Sequence, residues 1–151
     1  MLDKFDAAIL RVLQKHGRMS WLQLGEEARL SASAVQRRVQ AMESTGIIKH
    51  FSLHIDEKKV GNEVKAMVMI NVDRQDVENA RKFRERLSAY PEVQAMHMLS
   101  GTVDFMLEVV SSDIQKFAHF MEEKILSLPG VKDASSSIVL GTIKEHQSMI
   151  P

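Results

Sequence analysis

Apolar residues recur at helical spacing through the first third of the chain, and beyond it stretches of strand-like pattern are interleaved with two more helical ones. Asp3 precedes Phe5, Ile9, Leu10 and Leu13, and Gly17 closes that run, predicting a first helix. Ser20 and Gln23 have capping-box spacing and open a short second helix to about Ala28, with Trp21, Leu24 and Ala28 inward. Ser31 caps a third helix, in which Val35, Val39 and Met42 face the core, Ala34, Arg38 and Ala41 flank them, and Gly46 is the stop. Residues 47–55 then read as extended, with Phe51, Leu53 and Ile55 alternating with Ser52 and His54. The polar stretch 56–63 reads as a hinge.

Beyond it the pattern becomes strand (Val64–Val72), helix (75–89, with Ala80, Phe83 and Leu87 inward), strand (Val93–Leu99) and strand (Val103–Val110). A helix follows behind a Ser112–Gln115 capping box, with Ile114, Phe117, Ala118, Met121, Ile125 and Leu128 on one face, and then a strand from Val131 to Leu140. Leu87–Val93 and Leu126–Val131 repeat one theme of helix end, proline and strand start. The order is βαββαβ, which predicts an α+β chain. Residues 1–55 form a helix-turn-helix, winged-helix-like domain and 56–63 a linker. Residues 64–151 form a ferredoxin-like domain of four antiparallel strands and two helices. One face of that sheet has no cover within the domain, so the pattern predicts a homodimer.

Composition narrows the class. The chain has 151 residues, 44% hydrophobic and 26% charged, enough to bury a core. Its longest apolar run, Ala66–Ile70, is far too short for a bilayer, and no signal peptide is apparent. Cysteine is absent, which removes disulfides and zinc–thiolate sites and fits a reducing cytoplasm. Net charge is zero but unevenly spread: residues 1–60 hold ten Lys/Arg against seven Asp/Glu, and the remainder ten against thirteen. The positive half is the half with the helix pair.

The short link Arg29-Leu30-Ser31 between helices two and three suits a helix-turn-helix, whose second helix leads with its N-terminal half into the major groove. Ser33, Gln36, Arg37 and Gln40 lie on its outer face. Gln pairs bidentately with adenine and Arg with guanine, while Ser is a short, less selective donor. Arg38, Lys49 and the capping amides of helix two are better placed for the phosphate backbone, and Ser31, the cap of helix three, is counted with the DNA-binding residues. Duplex DNA is the expected partner.

The same residues carry a family resemblance. Leu2-Asp3 with Asp6 and Ile9-Leu10, Gly17-Arg18, the stretch LSASAVQRRVQAMESTGII, SGTVDFML from Ser100, and LPGV before the last strand together resemble the Lrp/AsnC, or feast/famine, transcription regulators over nearly the whole chain. The resemblance implies a cytoplasmic, nucleoid-associated bacterial or archaeal regulator. It would dimerise through its C-terminal sheet, assemble as a tetramer of dimers, and answer to a free amino acid, leucine or methionine foremost. The family's Gly-x-x-Asp effector loop maps onto Gly101, Thr102, Val103 and Asp104. Amides around a glycine turn suit a carboxylate, and Asp104 suits an ammonium group. Met98 and Ser137 are the further expected lining, between dimers. Ala32, where the family commonly has proline, and Ser137, where it often has a bulkier residue, depart from the pattern.

Other chemistries find less support. Six histidines are scattered without HExxH or Cys/His spacing, so no metal is expected. No P-loop, GxSxG or dinucleotide fingerprint is present, and no nucleophile–base pair can be read, so neither an enzyme nor a cofactor is expected. A metabolite-sensing module acting on a protein partner would account for the C-terminal half but not for the helix pair before it.

Overall fold

The computed structural model describes residues 2–73, 77–144 and 148–150, with the side chains of 77–80 outside that description. The chain forms two compact units: one is Met1–His54 with the chain end from Lys144, the other Ile55–Ile143. The expected division at 55, 56–63 and 64 thus differs in two places. Residues 56–63 go with the second unit, where Lys58–Val60 make a single 3-10 turn closed by Gly61 at φ 95° and by Asn62 Nδ2 donating to Glu57 at 2.7 Å. The stretch from Lys144 groups with the first unit.

In the first unit α1 spans Lys4–Lys15, α2 Trp21–Ala28 and α3 Ala32–Ser44. Each begins where a polar side chain meets its unpaired amides. Asp3 accepts from the N–H groups of Phe5 and Asp6 at 2.8 and 2.9 Å, while Asp6 accepts from the N–H of Asp3 at 3.2 Å. Ser20 and Gln23 make the corresponding reciprocal pair on α2, at 3.2 and 3.0 Å. Ser31 accepts from the Ala34 N–H at 3.3 Å. Ile9, Leu24, Ala28, Val35, Val39 and Met42 form the buried core.

Two expectations change here. Trp21 is 39% exposed rather than inward. No strand forms over 47–55; Ile47, Phe51, Leu53 and Ile55 are exposed, and no ladder runs along them. Alternation alone does not make a strand, because its amides and carbonyls need a neighbouring strand.

The second unit runs β1 (Val64–Val72), α4 (Val77–Ala89), β2 (Val93–Met98), β3 (Phe105–Ser111), α5 (Ile114–Phe120, continuing as a π-helical turn Met121–Leu126) and β4 (Val131–Ile138). The sheet order is β2-β3-β1-β4 with every pairing antiparallel, the ferredoxin-like arrangement. Ala66, Val68, Ile70 and Val72 are the buried alternate positions of β1, joined by Phe105, Leu107 and Val109 of β3 and by Phe83 and Leu87 of α4. The Phe83 and Phe105 rings lie 5.4 Å apart, and Tyr90 meets Phe120 edge-on at 5.6 Å.

The helix before β4 departs from its expected face. Phe117, Phe120, Ile125 and Leu128 are buried, whereas Ile114 and Ala118 are exposed. The step from Phe120 to Ile125 is one wide π turn, which a regular helical period does not anticipate. Its cap is Asp113, accepting from the Lys116 N–H at 2.7 Å, and Ser112 instead donates to the Asp113 carboxylate at 3.0 Å. The helix starts one residue later than a Ser112 cap requires.

The opposite sheet face carries Lys65, Met67, Met69 and Asn71 of β1 beside Met106 and Glu108 of β3 and Asp133, Ser135 and Ser137 of β4. Lys65 pairs with Glu108 at 3.0 Å and Asn71 donates to Asp133 at 3.1 Å, framing the half-buried Met67, Met69 and Met106. No helix of this unit covers that face among the residues described.

Candidate nucleic-acid interface and effector loop

The short turn between α2 and α3 determines how α3 is presented. Arg29 ends α2 in the left-handed conformation (φ 55°, ψ 47°), the one described non-glycine residue with positive φ. Its N–H donates to Glu26 O at 3.3 Å and the Leu30 N–H donates to Gly25 O at 2.8 Å, the paired bonds of a Schellman closure. Gly25 lets the turn come this close: a Cβ there would lie 2.6 Å from Leu30 O. The next residue, Ser31, is already the cap of α3.

On α3, Val35, Val39 and Met42 point into the core, and Ser33, Gln36, Arg37 and Gln40 are exposed at positions i, i+3, i+4 and i+7 of the opposite side. At about 100° per residue these four share one face, an arc of about 100°. The structure therefore brings together the four expected base-reading residues. Ser31 Oγ is occupied as the cap and lies 3.2 Å from Ser33 Oγ. Lys49 lies exposed beyond the helix end.

Arg38, expected to meet phosphate, is engaged within the protein. Its Nη1 donates to Asp3 Oδ2 and to Asp6 Oδ1, both at 2.8 Å, and its guanidinium lies 5.4 Å from the Phe5 ring centre. The Asp6 carboxylate, then that of Asp3, raise the Arg38 pKa above its ordinary value. The Asp3 carboxyl lies below the usual range, first because the Asp6 N–H donates to it and also because of Arg38, against a smaller opposing effect of desolvation. The helix pattern does not reveal this partnership, since the residues are 32 and 35 positions apart. An acidic pair in the first turn of α1 and an arginine flanking α3 were its only trace.

The loop between β2 and β3 contains Gly101 at φ 146°, a conformation that favours glycine, with Gly101 and Thr102 exposed and Val103 half-buried. Asp104 is buried. Its carboxylate accepts from the Val72 N–H at 3.0 Å, beside the register shift of β1 against β4. Its own N–H reaches Ile70 O at 3.2 Å, and its carbonyl accepts from Leu99 N–H at 2.9 Å. Asp104 thus fastens the loop to the end of β1. Met98, 73% exposed, stands at the loop's entrance. Ser137 does not join it: it pairs with Met67, five residues before Val72 on β1, or about 17 Å along the strand. Among the described residues no group of His, Cys, Asp or Glu is arranged to hold a metal ion.

A capped helix pair presenting one polar face, followed along the chain by a ferredoxin-like unit with an open sheet face and a glycine-hinged loop, defines a DNA-binding protein with a separate sensing or assembly unit. Residues 2–43 match the AsnC-type helix-turn-helix domain and residues 65–149 the Lrp/AsnC ligand binding domain. The chain is 36% identical over 149 residues to the transcriptional regulator AzlB of Bacillus subtilis, covering 99% of this chain and 95% of that protein. It is 28% identical to a leucine-responsive regulatory protein of Rhizobium meliloti, covering 95% and 92%. A transcriptional regulator of Neisseria meningitidis, solved as a complex with L-methionine, superimposes with a TM-score of 0.94 at 32% identity, covering 99% and 96% of the two chains. The chain belongs to the Lrp/AsnC family of transcriptional regulators, and it is a DNA-binding regulator rather than an enzyme.

Proposed function

We propose that Ser33, Gln36, Arg37 and Gln40 read base edges in the major groove, with Ser31 and Lys49 near the backbone, and that a free amino acid bound at the Met98–Asp104 loop tunes how copies are arrayed on DNA. The observation carrying the first part is the polar face of α3 opposite Val35, Val39 and Met42. The sensing part is supported by the loop geometry and by the methionine complex of the Neisseria relative. Methionine or leucine is the effector favoured here, since Met98 and Leu99 put apolar side chains beside the loop.

In this reading the loop amides around Gly101, Thr102 and Val103 meet the effector's carboxylate. Asp104, already anchored to Val72, faces its ammonium group. Ser137 contributes only from another copy of the chain. The open face around Met67, Met69 and Met106 is the dimer surface, dimers assemble further into a tetramer of dimers, and the protein works on the nucleoid in the cytoplasm.

Two measurements on the full-length protein test this. Arg37→Ala should weaken binding to a duplex selected by the wild type by roughly 5- to 150-fold and relax one base position; unchanged selectivity removes α3 from the groove. A thermal-shift screen of the twenty amino acids, with mass measured alongside, should single out methionine or leucine. A chain that none of the twenty stabilises is not an amino acid sensor.

A further inference from the structure

We infer that Arg38 is a positioning residue for base readout rather than a phosphate contact, and that the Asp3–Asp6 pair sets the angle at which α3 offers its polar face. This rests on the proposed reading face of α3. The clamp is built from parts that are themselves fixed. Asp3 and Asp6 hold each other through the reciprocal cap of α1, with bonds of 2.9 and 3.2 Å. The same two carboxylates take both 2.8 Å bonds from one Arg38 nitrogen, and the Phe5 ring of α1 lies against the guanidinium. The first turn of α1 and the flank of α3 are therefore one unit. Arg38 follows Arg37 directly and projects about 100° around the helix from it, outside the reading face and towards the core-facing side, where it meets α1.

Two magnitudes decide what such a clamp is for. The ion pairs are partly open to water, with side-chain exposures of 27% for Arg38, 47% for Asp3 and 16% for Asp6, so they add little to stability. Bidentate base contacts, by contrast, tolerate only about 0.5 Å and 10–20° of misplacement. A link worth little to the fold is worth much to readout. Charge points the same way: two carboxylates against one guanidinium leave the node net negative, and that repels a phosphate.

The test is the sign of the Asp6→Asn effect. Asn keeps an oxygen able to cap, but loses the charge that holds Arg38. Full-length wild type, Asp6→Asn, Arg38→Met, the double variant and Arg37→Ala are titrated by fluorescence anisotropy at several salt concentrations. The duplexes are one selected by the wild type from a random pool and a random one of equal length. Positioning predicts that Asp6→Asn weakens binding to the selected duplex by on the order of tenfold, although it removes a negative charge, and leaves random-duplex binding equal or tighter. Arg38→Met should lose selectivity similarly without changing the salt slope, and the double variant should be no worse than either single.

Tighter binding of the selected duplex by Asp6→Asn overturns the inference, as does a salt slope flattened by about 0.9 in Arg38→Met, the signature of one lost phosphate contact. Should Arg38→Met not fold, the sign for Asp6→Asn decides alone. Arg37→Ala separates the two levels of failure. Lost selectivity there, with tighter binding by Asp6→Asn, overturns only the clamp; retained selectivity there overturns the reading face.

Discussion

Arg29→Gly should stabilise the first unit even though it deletes a side chain. Arg29 sits at φ 55°, ψ 47°, where a Cβ crowds the following carbonyl at a cost of roughly 1–2 kcal/mol. Glycine escapes that cost but frees the unfolded chain, returning about 0.5–1 kcal/mol. The Schellman bonds of Arg29 and Leu30 use backbone atoms alone, so they survive the change, and the arginine side chain is exposed. The net gain is about 0.5–1 kcal/mol, or roughly 2–8 °C for a unit of this size melting independently. Trp21, the single tryptophan, lies in α2 itself, so its fluorescence reports unfolding of this unit within the full-length protein. Melts are run without DNA and at one protein concentration, because assembly shifts apparent stability. Arg29→Ala is the control: it removes the same charge but keeps the Cβ, and should gain nothing. Equal gains from Gly and Ala would assign the effect to charge, and a loss from Gly would refute the backbone reasoning altogether.

Gly25→Val, at the residue whose added Cβ meets Leu30 O at 2.6 Å, should lower the same midpoint by about 1–3 kcal/mol and displace the Ser31 cap, as read by Trp21 fluorescence and by selectivity for DNA. The Asp113 carboxyl is lowered first by the Lys116 N–H, and that of Asp3 by the Asp6 N–H. A depressed carboxylate pKa contributes stability that is present above the unfolded value and lost as pH falls through the folded one. Melting temperature should therefore decline from about pH 4 downward, and Asp113→Asn should flatten that decline; an identical decline in the variant removes Asp113 from the account. Ile70→Ala, at a fully buried centre of β1, should cost about 2–5 kcal/mol in urea titrations of the second unit followed by circular dichroism.

Local chemistry made most of the fold legible. The caps at Ser20 and Ser31 act within three residues of themselves, and alternation along β1 reports burial directly, so both could be read from neighbours in the chain. The failures occur where a distant partner or an irregular turn decides. Trp21 belongs to the inner arc by angle, but the short α2 buries Leu24, Gly25 and Ala28 instead. The π turn moves the inward position from Ala118 to Phe120, because five residues rather than four separate Phe120 from Ile125. Residues 47–55 have the composition of a strand and, among the described residues, no strand pairs with them.

The site shows the same division more sharply. The common exposed face of Ser33, Gln36, Arg37 and Gln40 was legible because one helix places all four, and helical geometry needs no knowledge of anything else. Arg38 was not, because its role is defined by Asp3 and Asp6 more than thirty residues away. An arginine's charge reads as available until its counter-ions are known. Asp104 shows the reverse: the pattern Gly-x-x-Asp drew attention to it as a ligand for ammonium, and the structure adds a prior commitment to the Val72 N–H. A carboxylate that fastens its own loop can still face a cation, but the loop and the binding group then move together. In the proposed function a ligand that draws on Asp104 would also pull on Val72, at the junction of β1 with β4, whose outer face is the open one bearing Met67 and Met69. In the proposed function the sensing loop and the assembly face therefore share a strand, and a small molecule at the end of β1 has a direct mechanical route to the surface through which copies meet.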